Sequence, residues 1–313
     1  MYSQFLDRQG NTIPLSQVIG SGATSVVLLQ HGIAVKTPLR CLLSSESDVE
    51  VNLMSIKREQ DVYRRLENPE DPGSSGIVKF IGFLPEATKL AYMANGDLRS
   101  YLANHRPSSQ LQITWFREMA YTLGYIHERC VLITDIASRN FLLDPNQSIK
   151  FCDFSEASLL PLDTDMSTVD DNGYTTQVDI GLLGAVIYEV VTGKKCKIDL
   201  YQNNSAADGR AYWPERKSLP STEDVWLGRI IEGCWNGEFS SAQSLLQALN
   251  SDHLLPSSLA QPHPTGWLGF ITDSFQVRPI TTICGTLGLV FFILYAGSKR
   301  SLLQREVRLS LCK

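Results

Sequence analysis

Residues 133–143 read Ile133-Thr134-Asp135-Ile136-Ala137-Ser138-Arg139-Asn140-Phe141-Leu142-Leu143, and Asp153-Phe154-Ser155 follows thirteen residues after Asn140. Taken singly, each of these aspartates reads as a turn former or a helix cap. Their ordered spacing is what raises them above that reading. Upstream, Phe116, Met119, Ala120, Leu123 and Ile126 form one apolar stripe of helical period. Downstream, Ile180, Leu183, Ile187, Val190 and Val191 form a second stripe that stops at Gly193. The polar run is therefore framed by two helices.

Further from it, residues 13–36 hold short apolar runs split by Gly20, Gly22 and Gly32, which predicts a β-hairpin with a tight second turn into a third strand, IAVK. Apolar residues at Leu53, Ile56, Val62, Tyr63 and Leu66 predict a helix over 49–66, ending at Asn68-Pro69. IVKFIGF and LAYM read as two more strands. Strands with one helix, then mainly helices, predict an α+β chain with a small β-rich N-terminal lobe and a larger helical C-terminal lobe. No internal repeat is visible.

The chain has 313 residues, 43% hydrophobic and 19% charged, which is ordinary for a globular protein and long enough for one two-lobed domain. A formal net charge of −5 argues against a nucleic-acid partner, since neutralising many phosphates needs a basic excess. Seven scattered cysteines without a CxxC pair indicate neither a disulfide framework nor a zinc site. The N-terminus lacks the basic start and apolar core of a secretory signal, so a cytoplasmic location is expected. Past residue 255 the composition turns to Pro, Ser, His and Gly, which predicts a linker over 256–278. The 17 residues ITTICGTLGLVFFILYA carry no charge and precede Lys299, Arg300, Arg305 and Arg308. They suggest a single membrane anchor over 279–297 with a short basic tail over 298–313.

Gly20-Ser21-Gly22-Ala23-Thr24-Ser25-Val26 is placed on the turn between the first two predicted strands, where glycines let backbone N–H groups approach a phosphate. By itself such a run is an ordinary hairpin turn. Lys36 ends the third strand, a position from which a lysine also snorkels to solvent.

With the spacings of Asp135, Asn140 and Asp153, the chain resembles the protein kinase family over about residues 13 to 250. That resemblance implies an ATP-dependent transfer of phosphate to Ser/Thr or Tyr hydroxyls of a protein. It implies Asp135 as the base and Asn140 with Asp153 as ligands of Mg²⁺. Glu59 is similar to the family's helix glutamate and is expected to pair with Lys36. Gly20, Ser21, Gly22 and Lys36 are expected at the phosphates of ATP. Tyr92-Met93-Ala94-Asn95-Gly96-Asp97-Leu98 resembles the hinge and the helix after it, with Leu90 as gatekeeper and main chain near Ala91 and Met93 facing the adenine. Val26, Ala34 and Leu142 are expected to sandwich it. The implied domain spans 13–255, with an N-lobe over 13–90, a hinge over 91–95 and a C-lobe over 96–255. Val178-Asp179-Ile180-Gly181 looks like the family's central buried helix, and Gly233-Cys234-Trp235 resembles a late one.

Four departures bear on function. Ile133-Thr134 stands for His-Arg, which removes the arginine that clamps a phosphorylated activation segment. Ser155 stands for the glycine after Asp153-Phe154, and Ser25 for the third glycine of the phosphate loop. No A-P-E lies between Asp153 and Asp179, and no arginine lies between Trp235 and Ala248 to pair with its glutamate. Residues 156–171 form a short acidic segment instead. These departures leave a second expectation open, a pseudokinase that binds ATP or acts as a scaffold. Ala137 with Arg139 is similar to the tyrosine-kinase pattern, though the altered segment leaves the acceptor residue type open.

Overall fold

The computed structural model describes residues 4–68, 70–201 and 209–251. Its N-terminal part is a five-stranded antiparallel sheet of order β1-β2-β3-β5-β4, made of β1 (Val18–Ser21), β2 (Ser25–Gln30), β3 (Ile33–Pro38), β4 (Phe80–Leu84) and β5 (Ala87–Ala91). β2 turns into β3 through His31 and Gly32, both at positive φ (50° and 78°). This two-residue turn matches the twist of the flanking strands and favours glycine at its second position. Gly20 and Ser21, expected in the first turn, lie in β1, and Ser25 and Val26 open β2. Only Gly22, Ala23 and Thr24 are left to turn. The strand expected at LAYM spans Ala87–Ala91, so Tyr92 and Met93 are outside it.

α1 (Glu46–Leu66) begins three residues earlier than the apolar period suggests, because Ser45 and Asp48 form a reciprocal capping box. Its buried face carries Asn52, Glu59 and Gln60 beside Ile56, Val62, Tyr63 and Leu66. Two of the three polar groups donate to backbone carbonyls: Asn52 Nδ2 to Leu39 O (2.8 Å), and Gln60 Nε2 to Leu84 O (3.1 Å) and Ala87 O (3.0 Å). These bonds set the rotation of α1 on the sheet. Glu59 is thereby aimed at β3.

The remainder is mainly helical: α2 (Leu98–Asn104), α3 (Ser109–Glu128), α4 (Thr176–Thr192), α5 (Gly228–Trp235) and α6 (Ala242–Leu249). The predicted stripe of α3 is fully buried at Phe116, Met119, Ala120, Leu123 and Ile126. α4 is buried nearly all round, from Val178 to Val190, and ends at Gly193 in the left-handed conformation (φ 69°). Two short antiparallel pairs, β6 (Val131–Leu132) with β9 (Ser158–Leu159) and β7 (Phe141–Leu143) with β8 (Ile149–Phe151), lie between α3 and α4. The Val78 N–H donates to Phe151 O (2.9 Å), which ties the chain entering β4 to the hairpin that precedes Asp153.

The helical part contains an ion pair that the sequence does not announce. Arg216 meets Glu232 of α5 through two bonds of 2.6 and 2.7 Å, while Thr222 and Asn236 also donate to that carboxylate. The hydrogen bonds from Arg216 outweigh burial and bring the Glu232 carboxyl down to about 2. None of the five described cysteines is in a disulfide. The expected linker, membrane segment (279–297) and basic tail lie outside the described residues, and among those described no helix is long and apolar enough to cross a membrane.

Gly181 and Gly184 let α4 sit close to its neighbours. A Cβ at Gly181 would stand 2.4 Å from the Trp213 ring. Gly181→Ala is expected to cost about 1–3 kcal/mol through overpacking, read as a lower urea midpoint at unchanged m-value.

Candidate active site

Three elements that are distant in sequence converge on one cation. Lys36, near the end of β3, is almost fully buried, and its Nζ lies 2.9 Å from Glu59 Oε1 and 2.7 Å from Asp153 Oδ1. Burial works against its charge, but the attraction of Asp153 and Glu59 outweighs burial and raises its pKa. Glu59 has the opposite balance. Burial raises its carboxyl, and Lys36 draws it back only in part, with the negative charge of Asp153 acting alongside burial. The Phe154 N–H also donates to Glu59 Oε1 (3.1 Å), so α1 holds both Lys36 and the chain after Asp153.

Asp153 sits at φ 63°. Its Oδ1 accepts from Lys36, from Ser155 Oγ (2.8 Å) and from the Ser155 N–H (3.4 Å). Oδ2 has no partner among the described residues, and the side chain is 39% exposed. Burial raises the carboxyl, but Lys36 and then Ser155 outweigh it and bring it down to about 2. Asp153 is thus an anion with one oxygen anchored and one available. Phe154 is fully buried and meets Tyr63, one turn after Glu59 on α1, edge to face at 5.3 Å.

The loop carrying Asp135 is braced by a single buried carboxylate. Asp179, in the first turn of α4, accepts from the Ile133 N–H and the Thr134 N–H, each at 2.9 Å, and from or with His127 Nε2 at 2.9 Å. Thr134 adopts φ 66°, a rare conformation for a β-branched residue, held by these amide bonds. Its hydroxyl donates to Glu156 O (2.9 Å) and joins the loop to the segment after Ser155. The apolar Ile133 is buried in the same core as Phe154 and Tyr63. Asn140 Nδ2 donates to Asp135 O (2.8 Å) and Oδ2 (3.0 Å), and the Cys152 N–H donates to Asn140 O (3.0 Å). That last bond draws Asn140 to the chain leading into Asp153.

Arg139 is the participant that sequence spacing did not assign. Its Nη2 donates to both oxygens of Asp135 at 2.5 and 2.6 Å. Nothing in the spacing of Ser155 or His127 reveals their contacts with Asp153 and Asp179. Burial raises the Glu156 carboxyl, helped by the charges of Asp135 and Asp153, so a third acid borders this region.

Around this centre, Val26 and Ala34 are buried and Leu142 and Met93 half-buried. Leu90 pairs with Ala34 across β3 and β5. The Ala91 N–H is used by Lys79 O (2.9 Å), whereas the Met93 N–H donates to no described residue. The Gly22 N–H donates to Ser25 O (2.8 Å), and neither Gly20 nor Gly22 has positive φ. A Cβ at Gly22 would meet only Ser25 Oγ, at 4.0 Å. The turn keeps open space rather than an unusual backbone.

The family model for the protein kinase domain matches residues 14–252. The chain belongs to the protein kinase family. It is 22% identical over 281 residues to the dual specificity protein kinase pyk3 of Dictyostelium discoideum, covering 84% of this chain and 20% of that protein. It is 29% identical over 232 residues to a probable serine/threonine-protein kinase of the same organism, covering 67% and 54%. A G-type lectin S-receptor-like serine/threonine-protein kinase of Oryza sativa subsp. indica is 28% identical over 208 residues, covering 57% and 24%. The chain thus spans about a fifth to a half of the length of these curated relatives.

Two variants test the geometry. In Asp179→Asn the amide presents N–H groups where Ile133 and Thr134 offer theirs, and a buried donor left unpaired costs about 1–3 kcal/mol; calorimetric unfolding should show a lower Tm. For Asp153 the folded carboxyl lies at about 2 and the ordinary value is 3.8, so the folded state binds fewer protons in that window. Its stabilisation is present above 3.8 and is lost as pH falls towards 2. Ser155→Ala removes a hydrogen bond to the anion, so acid unfolding should begin at higher pH than in the parent chain.

Proposed function

We propose that this member of the protein kinase family transfers the γ-phosphate of ATP to a hydroxyl of a protein, within a domain hinged at residues 91–95. The observation that carries the reading is the buried contact of Lys36 with both Glu59 and Asp153. It gathers a fixed cation and an available carboxylate oxygen beside the two strands that carry Val26 and Ala34. Phosphoryl transfer asks a protein for positioning and for charge neutralisation around the phosphates, and little else.

The residues present suit ATP with a divalent cation. Asp153 Oδ2 and the amide oxygen of Asn140 would supply the hard oxygen ligands that Mg²⁺ takes from a protein when substrate phosphates complete its shell. When bound, the ion neutralises charge on the phosphates. Lys36 reaches the same phosphates from the sheet side, and Gly20, Ser21 and Gly22 leave room above them. Val26, Ala34 and Leu142 enclose the adenine, with main chain at Ala91 and Met93 to hydrogen-bond it. In the transfer, the acceptor oxygen bonds to the γ-phosphorus as the bond to ADP breaks, and the hydroxyl proton passes to Asp135 and then to solvent. The relatives' names mention both serine/threonine and dual specificity, and the common acceptor is a protein hydroxyl.

A second reading, a pseudokinase that binds nucleotide without transfer, draws on one observation. Both Asp135 oxygens are engaged by Arg139, which leaves the base covered. Thermal-shift titration with Mg²⁺·ATP followed by radiolabelled transfer to a generic protein substrate separates the two: both predict stabilisation, and only the first predicts transfer. Asp135→Asn should keep the ATP-dependent shift and lose about 10²–10⁴-fold in rate, the usual contribution of a general base. Asp153→Asn should lose the dependence of that shift on Mg²⁺. Transfer that survives Asp135→Asn undiminished would remove Asp135 from the role of base.

A further inference from the structure

Beside Asp135, on the side of α2, positive charge accumulates without an equal number of anions. Arg99 Nε donates to Ser138 Oγ (3.3 Å), and Ser138 Oγ donates to Glu189 Oε2 (2.8 Å). Glu189 is therefore bound by a neutral hydroxyl rather than by a cation. Lys194, Lys195 and Lys197 are exposed just past the end of α4. Burial lowers the pKa of the Lys195 ammonium, and the charges of Arg99, Lys197 and Arg139 lower it further, against Glu189 alone as an opposing anion. Among the described residues Arg99, Lys195 and Lys197 form no ion pair. Lysines after a helix C-terminus commonly offset its dipole, which accounts for Lys194 and Lys195. It does not account for Arg99 on α2 or Arg139 beside Asp135.

Like charges gathered in this way repel until an anion arrives. In this structure Arg139 takes the catalytic carboxylate as its counter-ion. A guanidinium has five N–H donors, and only Nη2 of Arg139 is engaged, its Nε and Nη1 having no partner among the described residues. Asp135, for its part, must offer an oxygen within about 2.6–3.2 Å of the acceptor hydroxyl to serve as base. Arg139 holds both oxygens, and Asn140 also donates to Oδ2.

We propose that Arg99, Arg139, Lys195 and Lys197 form a subsite for a carboxylate side chain of the protein substrate close to its acceptor hydroxyl, and that this carboxylate draws Arg139 off Asp135. An acidic residue on the substrate then acts twice, docking the segment and uncovering the base. This rests on the transfer reading given above. It predicts an acid-directed kinase, in which a neutral sequence around the same hydroxyl meets a base that is still covered.

The test uses the full chain with Mg²⁺·ATP and peptides carrying one acceptor in an alanine background, made with Ser, Thr or Tyr. Glu, Ala or Lys is placed in turn at each of about four positions on either side, the span over which an extended strand at about 3.3 Å per residue reaches the cluster. Glu at one or more positions is expected to raise kcat/KM about tenfold over Ala, a factor worth about 1.4 kcal/mol, and Lys is expected to lower it. In the double variant Arg99→Glu, Lys195→Glu the order of Glu and Lys peptides should invert, a result that a merely structural role for these side chains does not produce. Equal rates for Glu, Ala and Lys at every position, or a preference for Glu that survives the charge reversal, would overturn the subsite while leaving transfer intact. Absence of transfer to every peptide by a chain that Mg²⁺·ATP stabilises would overturn the transfer reading and the subsite with it.

Discussion

The buried ammonium of Lys36 is the constraint from which the rest of the site follows. A cation and a fully buried carboxylate are tolerated in an apolar interior only when each has its partner, because removing a charge from water costs several kcal/mol per ion. Lys36 meets this condition with two carboxylates from two separate elements, Glu59 on α1 and Asp153 after β8. Displacing either element would leave a buried charge uncompensated. The sheet, α1 and the Asp153 segment are therefore positioned together, and Asn52 and Gln60 fix α1 in the rotation that this requires.

Asp179 does the corresponding work for the helical part. It acts through backbone N–H groups of Ile133 and Thr134, so the side chains there are free to differ from the His-Arg of the family without loosening the loop. The substitution also adds something: the Thr134 hydroxyl reaches Glu156 and couples the loop to the segment that follows. Ser155 is a comparable case. A glycine there would contribute an N–H alone, whereas serine adds a hydroxyl that holds Oδ1 of Asp153 and leaves Oδ2 available. The absent glutamate–arginine pair is not replaced at its own positions. Arg216 and Glu232 supply an ion pair elsewhere in the helical part, partly exposed and with further donors around it.

The acidic segment after Ser155 is less of a free anionic surface than its composition suggests. Asp170 pairs with Arg210, Asp171 accepts from Ser158 Oγ, and Asp165 caps its own turn through Ser167. The unbalanced charge near Asp135 is instead positive. The proposed substrate subsite therefore lies in the surroundings of the loop, on Arg99, Arg139 and the lysines past α4, rather than in the segment itself.

The sequence by itself determined the order of elements, the stripes of α3 and α4, the stop at Gly193 and the candidates Lys36, Glu59, Asp135, Asn140 and Asp153. These are legible because helical period, turn glycines and fixed loop spacings are local properties, set by a few neighbouring residues. The apolar period places the start of α1 three residues late because a capping box rather than an apolar residue begins it. Only the tertiary structure decided that Asp153 Oδ1 serves three donors, that Asp179 bonds backbone rather than side chain, and that Arg139 covers Asp135. Each depends on which atoms face one another after the chain has folded, and residues 36, 59 and 153 meet only because the sheet, a helix and a hairpin pack around one shared charge.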